Sequence, residues 1–281
     1  MILSDFSKAK ILWSLLPMGV LAMFVLMNGG VNNVPVMIAL YLLPALAMIL
    51  HALWTLGAVR GAVLFSLAAI IGWYFEVIGL KAGTFFGGDY VYGLSAFTLL
   101  HVPIAVIVYW AVFIYMGYAI TTSFLYWSGY HKPNRATDGL FILLALILLD
   151  GVIVMALDLF MDPIMAKLGA WKWLQGGPYF GVPPGNFMGW FTVTVLATGP
   201  FRIWEYLSPR PSSGMGPSVF LIPLFSYLAG AVAFMVVALR IGMGAFVLTG
   251  GIGMFVVVAT NLAMYLRRKS DIPIASHPAV S

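Results

Sequence analysis

Apolar residues run through this chain in long blocks, and the polar residues gather where the blocks end. The blocks fall at about 11–27, 34–56, 61–80, 97–126, 138–159, 186–206, 217–239 and 241–266. A helix rises 1.5 Å per residue, so about 20 apolar residues cross a hydrocarbon core ~30 Å thick. The pattern therefore predicts eight membrane-crossing helices. The first is the shortest and contains Pro17; the fourth is long enough to tilt or to protrude. The first block follows Lys8 and Lys10 but is too long for a signal-peptide core, and no small-residue cleavage site follows it.

Composition sharpens this picture. Hydrophobic residues make up 62% of the 281, charged residues 8%, and mean hydropathy is +1.02, whereas about a quarter of a soluble domain is charged. The fold class is all-α, a polytopic membrane helical bundle, expected as one integral membrane domain over 1–281 and located in the cell membrane. Basic residues lean toward one side of it. With both termini cytoplasmic, the inner side holds Lys8, Lys10, Arg60, Lys132, Arg135, Arg202, Arg210, Arg267, Arg268 and Lys269, against Lys81, Lys167, Lys172 and Arg240 outside. Such scattered charges do not form a nucleic-acid surface, despite a pI near 9.4. With no cysteine, disulfides, thiolate metal sites and cysteine nucleophiles are excluded. The tail from Ser270 to Ser281 is expected to be short and mobile, and no internal repeat is evident.

Two loops on the outer side stand apart. Residues 81–96 and 163–186 are rich in glycine, proline and aromatics, which suits shaped loops more than flexible linkers. Carboxylates cluster at the same level. Nine Asp and Glu occur in the whole chain, and Glu76, Asp150, Asp158 and Asp162 lie in apolar stretches. On insertion scales each such group costs at least ~2.5–3.5 kcal/mol, so it faces a cavity, a partner or a substrate. Asp158 and Asp162 are four residues apart, which puts both on one helical face. The third and fifth helices run in the same direction, so Glu76, Asp158 and Asp162 approach the outer end, with Asp150 nearer mid-membrane and Asp89 in the loop after the third helix.

Each residue also has a plainer reading. Asp150 could bond a neighbouring helix, Asp162 could shape a turn before Pro163, and Glu76 could pair with Lys81 at the surface. Trp171, Trp173, Tyr179 and Trp190 could form an interfacial aromatic belt. Glu205 and Arg202 read as anchors at the inner end. Metal chemistry is not expected: the Asp-x-x-x-Asp spacing occurs once, few basic groups stand ready for a diphosphate, and the four histidines are far apart. What remains is carboxylate acid/base chemistry on an apolar substrate that enters from the lipid. Burial favours the protonated acid, close carboxylates cannot all carry charge, and aromatic faces stabilise a cation by up to about 2 kcal/mol when desolvated.

The string Glu76-Val-Ile-Gly-Leu-Lys-Ala-Gly-Thr-Phe-Phe-Gly-Gly-Asp89-Tyr90-Val-Tyr92 resembles the glutamate–glycine–aromatic block of the CruF-type carotenoid hydratase family. That family includes carotenoid 1,2-hydratases and bisanhydrobacterioruberin hydratases. Asp158-Leu-Phe-Met-Asp162-Pro163, Trp171-Lys-Trp173 and Gly177-Pro-Tyr179 through Asn186-Phe-Met-Gly-Trp190 resemble its second block. The resemblance implies a cofactor-independent hydro-lyase of carotenoid biosynthesis. It would add water across the terminal C=C of an acyclic carotenoid end to give a tertiary alcohol. The expected catalytic group is Glu76, Asp89, Asp158 and Asp162, with Asp158 or Asp162 donating the proton and Glu76 or Asp89 positioning water. The expected substrate-binding group is Trp73, Tyr90, Tyr92, Asp150, Trp171, Trp173, Tyr179, Asn186 and Trp190, so the site-forming region runs over about 73–190. The lipid bilayer, the apolar carotenoid and other enzymes of the pathway are the expected partners. Two alternatives stay open: another isoprenoid-modifying enzyme (a cyclase or prenyltransferase), and a non-enzymatic transporter or lipid-binding protein.

Overall fold

The computed structural model describes residues 3–27, 33–93, 97–128, 136–209 and 215–271. Residues 94–96 of the first outer loop, Lys132, Arg135, Arg210 and the tail residues 272–281 lie outside this range. Eight long helices are present among the described residues: α1 (Asp5–Met27), α2 (Val34–Thr55), α3 (Ala58–Ala82), α4 (Ile104–Trp127), α5 (Ala136–Lys167), α6 (Pro184–Leu207), α7 (Ile222–Arg240) and α8 (Gly244–Asp271). Seven are long and apolar enough to cross a membrane, so this is a multi-pass membrane protein. The exception, α6, is as long as α4 but carries Asn186, Arg202 and Glu205 along with several threonines. It packs against α3 and α5 and turns its polar groups inward: Asn186, Thr194, Thr198 and Arg202 are all buried.

Several expected boundaries move. The first helix starts at Asp5 and, at 23 residues, is not the shortest, which is α7 with 19. The largest shifts fall in the fourth and fifth helices. The fourth helix begins at Ile104, not at 97. Residues 98–103 fold instead as a hairpin in which β2 (Thr98–Leu99) pairs with β3 (Val102–Pro103). The turn residues Leu100 and His101 have φ of 50° and 69°, the left-handed geometry of a two-residue turn matched to strand twist. The apolar pattern of the segment conceals this turn.

The fifth helix continues past 159 to Lys167, so Asp162 is helical and does not form a turn. Pro163 lies inside it. Proline has no N–H to offer the carbonyl four residues back, which here belongs to Leu159. The phenol of Tyr179 donates to that carbonyl at 3.2 Å, so a side chain from the following loop satisfies the orphaned acceptor.

Arg202 also departs from expectation. It is not a charge at the membrane surface but a buried one, paired with Asp150 through Nε at 2.6 Å and Nη2 at 2.7 Å.

The two outer loops meet. β1 (Tyr90–Tyr92) from the first pairs antiparallel with β4 (Trp171–Trp173) from the second, in the register Tyr90 to Trp173, Val91 to Lys172 and Tyr92 to Trp171. Side chains alternate faces along a strand. The two Tyr–Trp pairs therefore share one side of the ribbon, while Val91 and Lys172 are exposed on the other.

Candidate active site

Under that ribbon the helices place three carboxylates. Glu76, from α3, accepts hydrogen bonds from Tyr90 (2.5 Å) and Tyr92 (2.7 Å) on Oε2 and from the Trp110 indole (2.9 Å) on Oε1. It does not engage Lys81, which is exposed. Asp158 and Asp162 project from one face of α5, and the amide of Asn186 bridges them, donating to Asp158 Oδ2 at 2.8 Å and to Asp162 Oδ2 at 2.6 Å. All three carboxylates and Asn186 are buried. Burial, followed by the charge of Glu76, raises the phenol pKa values of Tyr90 and Tyr92 above their ordinary value, which keeps both as donors.

Close approach of the elements depends on glycine. A Cβ at Gly72 would stand 2.5 to 2.9 Å from Trp110, and one at Gly79 would stand 2.8 Å from the Tyr90 hydroxyl. Without side chains there, α4 and β1 come near enough for both donors to reach Glu76.

A cavity of about 30 Å³ lies at the centre, lined by Glu76, Asp162, Asn186 and the rings of Tyr90, Trp173 and Trp190 among others. Trp190 stacks on Trp110 with centroids 3.9 Å apart, and Tyr90 lies 5.9 Å from Trp173. No lysine, arginine or histidine is among the described lining residues. Asp162 Oδ1 and the Nε1 atoms of Trp171 and Trp173 are buried without a protein partner among the described residues. They present one acceptor and two donors, the complement that a water molecule can satisfy.

The sequence-derived residues divide into two groups. Glu76, Asp158, Asp162, Tyr90, Tyr92, Trp171, Trp173, Asn186 and Trp190 come together. The other four do not join them at the cavity. Asp89 is exposed, with its carboxylate accepting from Gln175 Nε2 at 3.0 Å and its N–H donating to Gln175 Oε1 at 3.1 Å. Asp150 belongs to the Arg202 pair. Trp73 donates to the Leu99 carbonyl at 3.2 Å and holds the hairpin, and Tyr179 supports the helix at Pro163. Trp110, Phe86 and Val106 line or supply the site without having been anticipated. Trp110 is 34 residues from Glu76 and sits in a uniformly apolar helix, so no local spacing marks it.

A family model described as a carotenoid biosynthesis protein matches residues 36–259. Comparison with curated proteins and with solved structures gives no match.

Proposed function

Because the chain belongs to the carotenoid biosynthesis protein family, we propose that it is a membrane hydratase acting on the terminal double bond of an acyclic carotenoid end. The observation that carries this reading is the meeting of Glu76 and Asp162 at an aromatic-walled cavity with no basic residue among its described lining, with Asp158 joined to Asp162 through Asn186. Two buried carboxyls sharing one amide cannot both ionise cheaply, so the pair retains a proton. Asp162 faces the cavity and Asp158 stands behind it.

In the proposed reaction Asp162 gives this proton to the less substituted alkene carbon. The π pair forms the new C–H bond and leaves positive charge on the tertiary carbon. Three hydrogen bonds donated to Glu76 stabilise its negative charge, and that charge, with the surrounding ring faces, stabilises the cation. Left ionised by that transfer, Asp162 can accept a hydrogen bond from a water that Trp171 and Trp173 also hold. This water forms the C–O bond, and its surplus proton returns to Asp162. The acid is regenerated, and one water is added without cofactor or redox change.

The test is expression in a bacterial strain that makes lycopene, with mass analysis of the extracted pigment. The reading expects a gain of one or two waters, lost in Asp162→Asn. A cyclase would leave the mass unchanged, and a prenyltransferase would add an isoprenoid unit. Unaltered lycopene alongside membrane-inserted protein would overturn the assignment to this substrate.

A further inference from the structure

A cavity of about 30 Å³ accommodates water but not the body of a long polyene. If the site acts on the end of such a chain, the remainder must lie elsewhere in the bundle. A second cavity, of about 320 Å³, opens between α1, α2, α4 and α7. Its walls include Gly19, Met23, Met48, Phe113, Met116 and Gly230. Both of its phenols are engaged, Tyr109 donating to the Tyr41 carbonyl at 3.0 Å and Tyr227 to the Ile153 carbonyl at 2.8 Å. Apart from these phenols and Ser226 the lining side chains are apolar, so the wall suits a hydrocarbon chain. Flexible methionine side chains adapt to such a chain.

The two cavities are bordered by α4 and α5 in common. On α4, Val106 lines the carboxylate cavity while Tyr109, Val112 and Phe113 line the apolar one. The Phe113 ring is 6.1 Å from Trp190, which walls the carboxylate site. On α5, Leu157 lines the apolar cavity and is followed directly by Asp158. At the far side Val20, Phe24 and Val232 are 40%, 44% and 40% exposed on the membrane-facing surface.

We propose that this cavity is the channel for the polyene body of the substrate, entered from the bilayer past α1 and α7, with the reacting end delivered along α4 to Asp162. The proposal rests on the hydratase reading for the identity of the occupant, and its test separates the two. Gly230 lines the channel and a Cβ there meets no atom within 4 Å, so the side chain of Gly230→Phe starts in open space and its ring takes up channel volume. Leu16→Trp fills the same space from α1.

Each protein is purified in detergent from the lycopene-producing strain, and pigment retained per protein is read from visible absorption. Retention is expected to fall more than about tenfold in both filled variants. It is expected to stay at the wild-type level in Gly230→Ala and in Asp162→Asn, all with unchanged elution profiles. Equal retention by the filled variants, loss in Gly230→Ala, or no retention by the wild type would overturn the channel. Full conversion by Asp162→Asn would overturn the hydratase mechanism and leave the channel result standing.

Discussion

Replacing Glu76 by Gln removes a charge while nearly preserving shape, and the hydrogen bonds around it dictate how the new amide must sit. The Trp110 indole only donates, so the amide oxygen must take the Oε1 position that Trp110 reaches at 2.9 Å. The amide nitrogen then replaces Oε2 and offers its two N–H groups to the oxygens of Tyr90 and Tyr92. The displaced Tyr90 hydroxyl hydrogen has the Glu76 carbonyl within 3.4 Å as an alternative acceptor. The variant should therefore fold and insert.

Its catalytic loss follows from Coulomb's law. A unit charge about 4 Å from a carbocation, at an effective dielectric of ~20, contributes about 4 kcal/mol, roughly a thousandfold in rate. Glu76→Ala would also leave three donors unpaired, at about 1–3 kcal/mol each, and should insert poorly. The assay is pigment conversion per unit of membrane-inserted protein, measured by mass analysis and immunoblot. Wild-type conversion by Glu76→Gln would refute the electrostatic role.

Three further outcomes are expected. Asp150→Asn or Arg202→Met alone should lower unfolding stability in detergent by about 3–5 kcal/mol by stranding a buried charge, while Asp150→Leu with Arg202→Met should be close to neutral; additive losses would contradict the pairing. Burial and Glu76 raise the phenol pKa values of Tyr90 and Tyr92 above the ordinary 10.0. The stability they contribute is therefore complete below pH about 10 and declines as pH rises, by about 1.4 kcal/mol per pH unit per tyrosine; a Tyr90→Phe, Tyr92→Phe double variant titrated over the same range should show a shallower decline. Tyr179→Phe should cost about 1–3 kcal/mol by orphaning the Leu159 carbonyl, and adding Pro163→Ala, which restores an N–H to that carbonyl, should recover the loss in thermal unfolding.

Features that are continuous along the chain were legible in the sequence. Apolar blocks marked the helices, and the four-residue spacing of Asp158 and Asp162 placed them on one face. Features made by distant residues were not. Asp150 and Arg202 are separated by 52 positions, and neither neighbourhood identifies the other. The ribbon that brings Tyr90 and Tyr92 over Trp171 and Trp173 consists of two three-residue strands in loops 81 positions apart, too short for a period-two pattern to register. Pro163 normally breaks a helix, and the hydrogen bond from Tyr179 that satisfies the freed Leu159 carbonyl comes from a loop residue sixteen positions on, which no local pattern marks. Asp89 was drawn into the site by proximity in sequence, but its bonds to Gln175 hold it at the surface.

The contrast among the three aspartates of α5 bears on why the site is built as it is. Asp150 is buried with a guanidinium against both of its oxygens, so its charge is neutralised and structurally fixed. Eight and twelve residues later, Asp158 and Asp162 are also buried, but among the described residues no cation pairs with them and they share the neutral amide of Asn186, while the third acid nearby, Glu76, is held by two phenols and an indole. The chain can bury an arginine beside a carboxylate in this bundle, and it does so two helical turns away. At the cavity it supplies hydrogen-bond donors instead. Neutral donors hold carboxyl groups in place without cancelling their negative potential, which remains available to a positive charge arriving from outside the protein. A proton shared within the aspartate pair and a carbocation formed beside Glu76 are both such charges, and the second exists only in the course of reaction. A permanent cation would occupy this potential continuously, and the site would lose the preference for the charged intermediate over the neutral alkene on which rate acceleration depends.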